Sequence, residues 1–155
     1  MSPDPASVVA DADVLAADLF GEETARAAMD RIREHSWVTL VASDPLLDDA
    51  AAVVAALADA DLAADWRERV SAEARIVEHP DGDHPAFAAA LHGEAAHVLS
   101  LDESLTSAAG NVAISARVRT SVRTPDAFVR IFDPEALYEA VEGGSYPGPD
   151  TPPRA

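Results

Sequence analysis

Cysteine is absent from this chain of 155 residues, and so is lysine. The first absence excludes a disulfide scaffold and thiolate zinc sites, and makes a reducing cytoplasm the expected home. The second leaves all 11 basic residues as arginine. It excludes a P-loop, whose lysine sits on the phosphates, and a Schiff-base enzyme, whose lysine is the nucleophile. Aromatic residues make up only 5% of the chain, so its core has to come from small aliphatic side chains. No apolar run approaches the roughly 18 residues that a membrane span needs. Met1 to Ala6 carries acid and proline in place of the basic and apolar regions of a secretory signal.

Acid is what the chain has in excess. Asp and Glu total 28, giving a formal net charge of −17. With lysine lost and Ala, Asp and Val abundant, the composition resembles proteins of salt-loving archaea. Molar salt shortens the Debye length to about 3 Å and tames self-repulsion of this size. The apolar fraction of 48%, much of it alanine, suits closely packed helices over a sheet. The length fits one domain.

Residues 1–6 and the Pro/Gly-rich tail 143–155 read as disordered ends flanking one domain over 7–142. Ser7 to Ala10 reads as a first buried strand ending at Asp11, followed by a helix through Phe20 that stops at Gly21. Glu22 to His35 is a second helix, with Ala25, Ala28, Met29 and Ile32 on one face. Trp37 to Ala42 reads as a strand. Ser43 then caps a helix with Pro45 in its first turn, carrying Leu46, Leu47, Ala50, Val53, Val54 and Leu57. A helix over Asp61–Ala74, a short strand over Arg75–Glu78 and a helix over Pro85–His92 follow. His97–Leu101 is a strand with Asp102 at its exit. Val112 to Val118 alternates as a strand would, although a helix fits as well, and Phe128–Phe132 reads as a final strand. Asp133-Pro134-Glu135 opens a closing helix. Alternating strands and helices predict an α/β fold, a three-layer α/β/α arrangement around a mostly parallel sheet of about five strands.

In such sheets, sites form beyond the carboxyl ends of the strands. Asp11 and Asp13 follow the first strand, Asp102 follows a later one, and Asp83 starts the helix before it. Asp48 and Asp49 begin the helix after the second strand. Carboxylates converging on one rim raise each other's pKa unless a cation fills the space. Mg²⁺ or Mn²⁺ suits an all-oxygen site and lets a phosphate approach an acidic surface.

These residues resemble the PIN-domain nuclease family. Val8-Val9-Ala10-Asp11-Ala12-Asp13-Val14-Leu15 is similar to its opening strand, with Asp13 where asparagine is usual. Ser43-Asp44-Pro45-Leu46-Leu47-Asp48-Asp49 resembles its Ser-x-x-Leu-Leu-x-Glu element. The stretch from Asp83 through Gly93 to Ser100-Leu101-Asp102 resembles its Asp, Ala-rich helix, Gly-Ala-Asp and Thr-x-Asp. The resemblance spans about Ser7 to Glu142. It implies a PIN-like fold and a metal-dependent ribonuclease in which Asp11, Asp83 and Asp102 hold Mg²⁺ or Mn²⁺. Asp49 would be a further catalytic acid, with Asp13, Asp48 and Ser100 assisting. It further implies RNA as substrate, a homodimer as one assembly and an antitoxin-like protein as one partner. Two departures point instead to a catalytically reduced binding or assembly module: Asp49 stands where the family has a longer Glu, and the Asp83–Phe87 spacing is longer than usual.

Blander roles compete for the same residues. Asp83 suits a helix cap, and Asp49 a solvated helix face. Arg117, Arg119 and Arg123 form the one locally basic stretch, read either as surface arginines or as RNA-positioning groups. The histidines show no tight zinc spacing. Paired acids after a first strand also occur in phosphoacceptor receiver domains, but those need a lysine late in the chain, and none is here.

Overall fold

Every position from Ala6 to Ala10 is buried, a pattern that requires cover on both faces of the strand. The computed structural model, which describes residues 4–78, 85–106 and 120–153, supplies that cover. Its strands are β1 (Asp4–Ala10), β2 (Thr39–Ala42), β3 (Arg75–Ile76), β4 (Ala95–Leu99) and β5 (Ser121–Arg123). The longer helices are α1 (Ala12–Leu19), α2 (Glu23–Arg33), α3 (Asp44–Leu57), α4 (Ala60–Glu73) and α5 (Pro85–Gly93). Short helices α6 (Glu103–Thr106), α7 (Pro125–Ile131) and α8 (Pro134–Val141) complete the described elements. The strands form one five-stranded sheet in the order β3-β2-β1-β4-β5, parallel throughout. The fold is α/β, with helices layered on both sides of the sheet. Val8 lies opposite Leu40 on one side and His97 on the other, and Val9 opposite Val41 and Val98.

The caps explain where the helices begin. Ser43 Oγ accepts from Leu46 N–H at 3.3 Å, Asp59 from Leu62 N–H at 2.7 Å, and Asp133 from Ala136 N–H at 3.1 Å. Pro45 and Pro134 sit in first turns, where no donor is lost. The predicted apolar face of α2 is buried as Ala25, Ala28, Met29 and Ile32. On α3, Leu46, Leu47, Ala50 and Val54 are buried, whereas Val53 and Leu57 are exposed. Buried Asp18 of α1 pairs with Arg33 at the end of α2 at 2.7 Å.

Phe128–Phe132 is not a strand. It belongs to the α7 segment, and the last described strand, β5, precedes it. Thr124 Oγ1 caps α7 by accepting from Ala127 N–H, Pro125 fills its first turn, and Phe128 stacks on Phe132 one helical turn on, with ring centroids 5.3 Å apart. The expected strand over Val112–Val118 lies outside the described residues.

Gly93 closes α5, but the left-handed backbone falls on the next residue, Glu94, at φ 53°. Gly93 is needed for another reason: a Cβ there would collide with Val41 Cγ1 of β2.

Among its described residues, the Pro/Gly-rich segment after Gly143 has no helix or strand, yet it is attached. Asp150 accepts from Ser36 N–H at 2.8 Å and from Ser36 Oγ at 2.7 Å. Buried His35 makes two contacts, Nδ1 to the Arg31 carbonyl at 2.7 Å and Nε2 to the Tyr146 hydroxyl at 2.6 Å. A carbonyl can only accept, so Nδ1 carries the proton in the neutral ring and Nε2 accepts from the phenol. Among the described residues, no helix is long and apolar enough to cross a membrane.

Candidate functional site at the centre of the sheet

Strand order reverses between β1 and β4, so the crevice beyond their carboxyl ends is the place where such sheets bind ligands. Asp11 stands at the end of β1. Its backbone N–H donates to the Leu99 carbonyl at 2.8 Å, and its Oδ1 caps α1 by accepting from Ala12 N–H at 2.8 Å. Oδ2 is left to face the neighbouring strand.

There it meets Ser100, the first residue after β4, which is fully buried. The Ser100 hydroxyl lies 3.1 Å from Asp11 Oδ2 and 3.4 Å from Asp13 Oδ2, so its single proton serves two carboxylates. Ser100 Oγ in turn accepts from Asp102 N–H at 3.1 Å, and Leu101 N–H donates to Asp13 Oδ2 at 3.1 Å. The turn after β4 therefore aims a hydroxyl and an amide at acids rooted at the end of β1. Asp13 Oδ1 is buried with no hydrogen-bond partner. Burial, and then the charge of Asp11, push the Asp13 carboxyl above its ordinary value against the pull of its hydrogen bonds.

A cleft of ≈ 710 Å³ opens from this pair. Asp11, Asp13, Asp49 and Glu22 are its acids, and Ala16, Ala17, Phe20, Val53 and Leu57 form an apolar wall. None of the described residues lining it is basic.

Asp11, Asp13 and Ser100 are thus brought together, with Asp49 on the same cleft. Asp48 is not: one step further round α3, it pairs with Arg67 of α4 at 2.9 Å, and Arg67 also reaches Asp44 at 3.2 Å. Asp102 is exposed at the start of α6, where its carbonyl receives the N–H of Leu105 and of Thr106. Arg123 ends β5 opposite Leu99, and its carbonyl accepts from Ser100 N–H at 3.0 Å. Its guanidinium, after burial itself, holds down the pKa of His97, and it does not line the cleft. Asp83, Arg117 and Arg119 lie outside the described residues. Phe20 and Glu22 at the cleft mouth were not singled out from sequence. The signal for them was the Gly21 turn, which carries the chain across the end of α1 at φ +83°.

Among the described residues, no group of three or more His, Asp or Glu side chains could hold a metal ion. Residues 2–154 match a family described as a family of unknown function (DUF7384), and the chain belongs to it. No curated protein and no solved structure matches the chain.

Proposed function

We propose that this DUF7384 member is a metal-dependent ribonuclease of PIN type, cleaving RNA phosphodiester bonds at the crevice between β1 and β4. The observation that carries the reading is the Asp11–Ser100–Asp13 cluster, two carboxylates on one buried hydroxyl with a buried, unpartnered oxygen on Asp13. Two negative groups held this close gain most from a cation.

The donor set fits Mg²⁺ or Mn²⁺. Such ions take one or two carboxylates and keep several waters, so a third protein ligand is not required. Asp11 and Asp13 would hold the ion, and Asp49 borders the cleft within which a water shell would lie. By resemblance, Asp83 and Asp102 would complete the acid set. When bound, the ion would offset charge building on the phosphoryl group and acidify water. The chain's own residues do the rest. Ser100 fixes the rotamers of both acids by sharing its one proton between Asp11 Oδ2 and Asp13 Oδ2. Leu101 N–H locks Asp13, and the acid wall turns away any phosphate that the ion does not neutralise.

A specific observation favours a second reading, a catalytically reduced PIN-like binding module: the described acids do not form a group of three or more able to hold an ion. Calorimetry with Mn²⁺ in molar KCl separates the two. The ribonuclease reading expects one binding event in the parent, lost in Asp11→Asn, and Mn²⁺-dependent RNA cleavage lost in the same variant. No Mn²⁺ binding in the parent sinks the nuclease and leaves the binding module.

A further inference from the structure

The segment after Gly143 is held without being built in. None of residues 145–153 is buried, and none belongs to the hydrophobic core. Helix α8, which leads into the segment, has no buried residue either. Gly143 and Gly144 join the two at φ +78° and +82°, with open space where side chains would stand. The described hydrogen bonds of residues 145–153 to the body converge on Glu34, His35 and Ser36, just past α2. The Glu34 carbonyl accepts from the N–H groups of Asp150 at 2.8 Å and Thr151 at 3.2 Å. The Asp150 carboxylate gathers three donors, namely Ser36 N–H, the Ser36 hydroxyl and, at 3.1 Å, the Thr151 hydroxyl. A cavity of ≈ 310 Å³ is lined by Ile32, Val38 and Leu40 of the body and by Thr151, Pro152 and Pro153 of the segment. It sits at the entry to β2, the end of the sheet opposite the cleft.

We propose that residues 145–153 are a releasable strap, a lid that lets go of residues 34–36 and uncovers this cavity while the domain stays folded. The inference is independent of the ribonuclease reading. Opening breaks bonds to three consecutive residues and takes no side chain out of the core, so it costs less than unfolding. Local openings draw on segments with few buried contacts and exposed backbone hydrogen bonds, and this segment has both properties. The Gly143–Gly144 pair supplies the backbone freedom for the strap to swing. Closure keeps Ile32, Val38 and Leu40 out of water and gives the Glu34 carbonyl donors that the end of α2 lacks. Asp150 is the latch, because three of the contacts end on its one carboxylate.

The chain has no cysteine, so a single introduced thiol can report the opening. Val38→Cys places it on the cavity lining, and Val54→Cys places it in the core away from the cavity. Both are made in the full chain in molar KCl, and iodoacetamide labelling is followed as urea is raised below the unfolding transition. Val38→Cys should react by a route that barely responds to urea, since opening the strap exposes little surface. Val54→Cys should follow the steep urea dependence of global unfolding. Adding Asp150→Ala should speed labelling of Val38→Cys about tenfold, the scale of one charge-assisted hydrogen bond, and leave its urea dependence shallow. Equal rates with equally steep urea dependence at the two positions overturn the strap, because the cavity then opens only when the domain unfolds. Shallow labelling of Val38→Cys that neither Asp150→Ala nor Tyr146→Phe accelerates overturns it as well, because the thiol is then reached past a closed segment.

Discussion

Asp13 is caught between burial, the neighbouring Asp11 carboxylate, and hydrogen bonds from Ser100 and Leu101 that only partly compensate. A carboxyl whose folded pKa lies above its unfolded value near 3.8 holds its proton more tightly when folded. The native state therefore loses stability as pH rises from that unfolded value through the raised one, and the cost is complete above it. Asp13→Asn should raise Tm at pH 7 in chelator, with the advantage vanishing below about pH 4, where the parent acid is neutral too. Thermal melts across that range check it; an advantage that persists at pH 3 would argue against the electrostatic cause. Glu94 is a second residue under load, a side chain held at φ 53°. Glu94→Asn should stabilise the fold by about 1 kcal/mol, since asparagine tolerates the left-handed region better. Denaturant midpoints measure the gain.

At the scale of elements, α5 and β2 touch through Gly93 and Val41 without room for another methyl. Gly93→Ala improves helix propensity, yet it should cost about 1–3 kcal/mol net because a packed core resists an added methyl. Val41→Ala in the same chain should recover part of that loss, a rescue that chemical denaturation of the double variant reads directly. The pair also shows what a sequence can and cannot disclose. Gly93 was legible as the end of a helix, but its true constraint is a contact with a strand more than fifty positions earlier. Helices α1 to α5 were readable from their apolar periodicity and, for α3, from the Ser43 cap; Asp11 and Asp59 prove to cap α1 and α4 as well. Phe128 to Phe132 misled because bulky apolar residues there suit either state, and the deciding signal was the Thr124-Pro125 cap just upstream. Asp11 and Asp13 were legible as residues leaving an apolar run, whereas Ser100 was read inside a strand and singled out only by the resemblance. The turning of Phe20, Val53 and Leu57 onto the cleft was not, because local pattern records hydrophobicity and not which neighbour leaves a side chain uncovered.

Over the whole molecule, 28 acids against 11 arginines set a repulsion that the local ion pairs relieve only in places. Tm should rise steadily as KCl is raised from millimolar to molar, as expected when screening weakens like-charge repulsion. A flat response would mean that the pairs already balance the field. The C-terminal segment ties distant parts of the chain together at the other end of the sheet from the cleft. Tyr146→Phe strips the phenol proton from His35 Nε2, a buried acceptor, and should cost about 1–2 kcal/mol without touching Mn²⁺ affinity.

The order β3-β2-β1-β4-β5 puts the strand that comes first along the sheet's chain order in the middle of the sheet. One flank of β1 can pair once residues 39–42 exist, but the other waits for residues 95–99. At ribosomal speeds of roughly 5–20 residues per second, that interval lasts on the order of ten seconds. For that time a strand that the finished fold buries throughout, Ala6 to Ala10, has an open edge in a crowded cell. Asp4 and Asp11 bracket it, and charged residues flanking a sticky strand discourage its pairing with other chains. Asp11, which later frames the cleft, thus guards the nascent chain first, together with Asp4 at the other end of the strand, and a variant that neutralises both should be judged by its yield of soluble protein as well as by its activity.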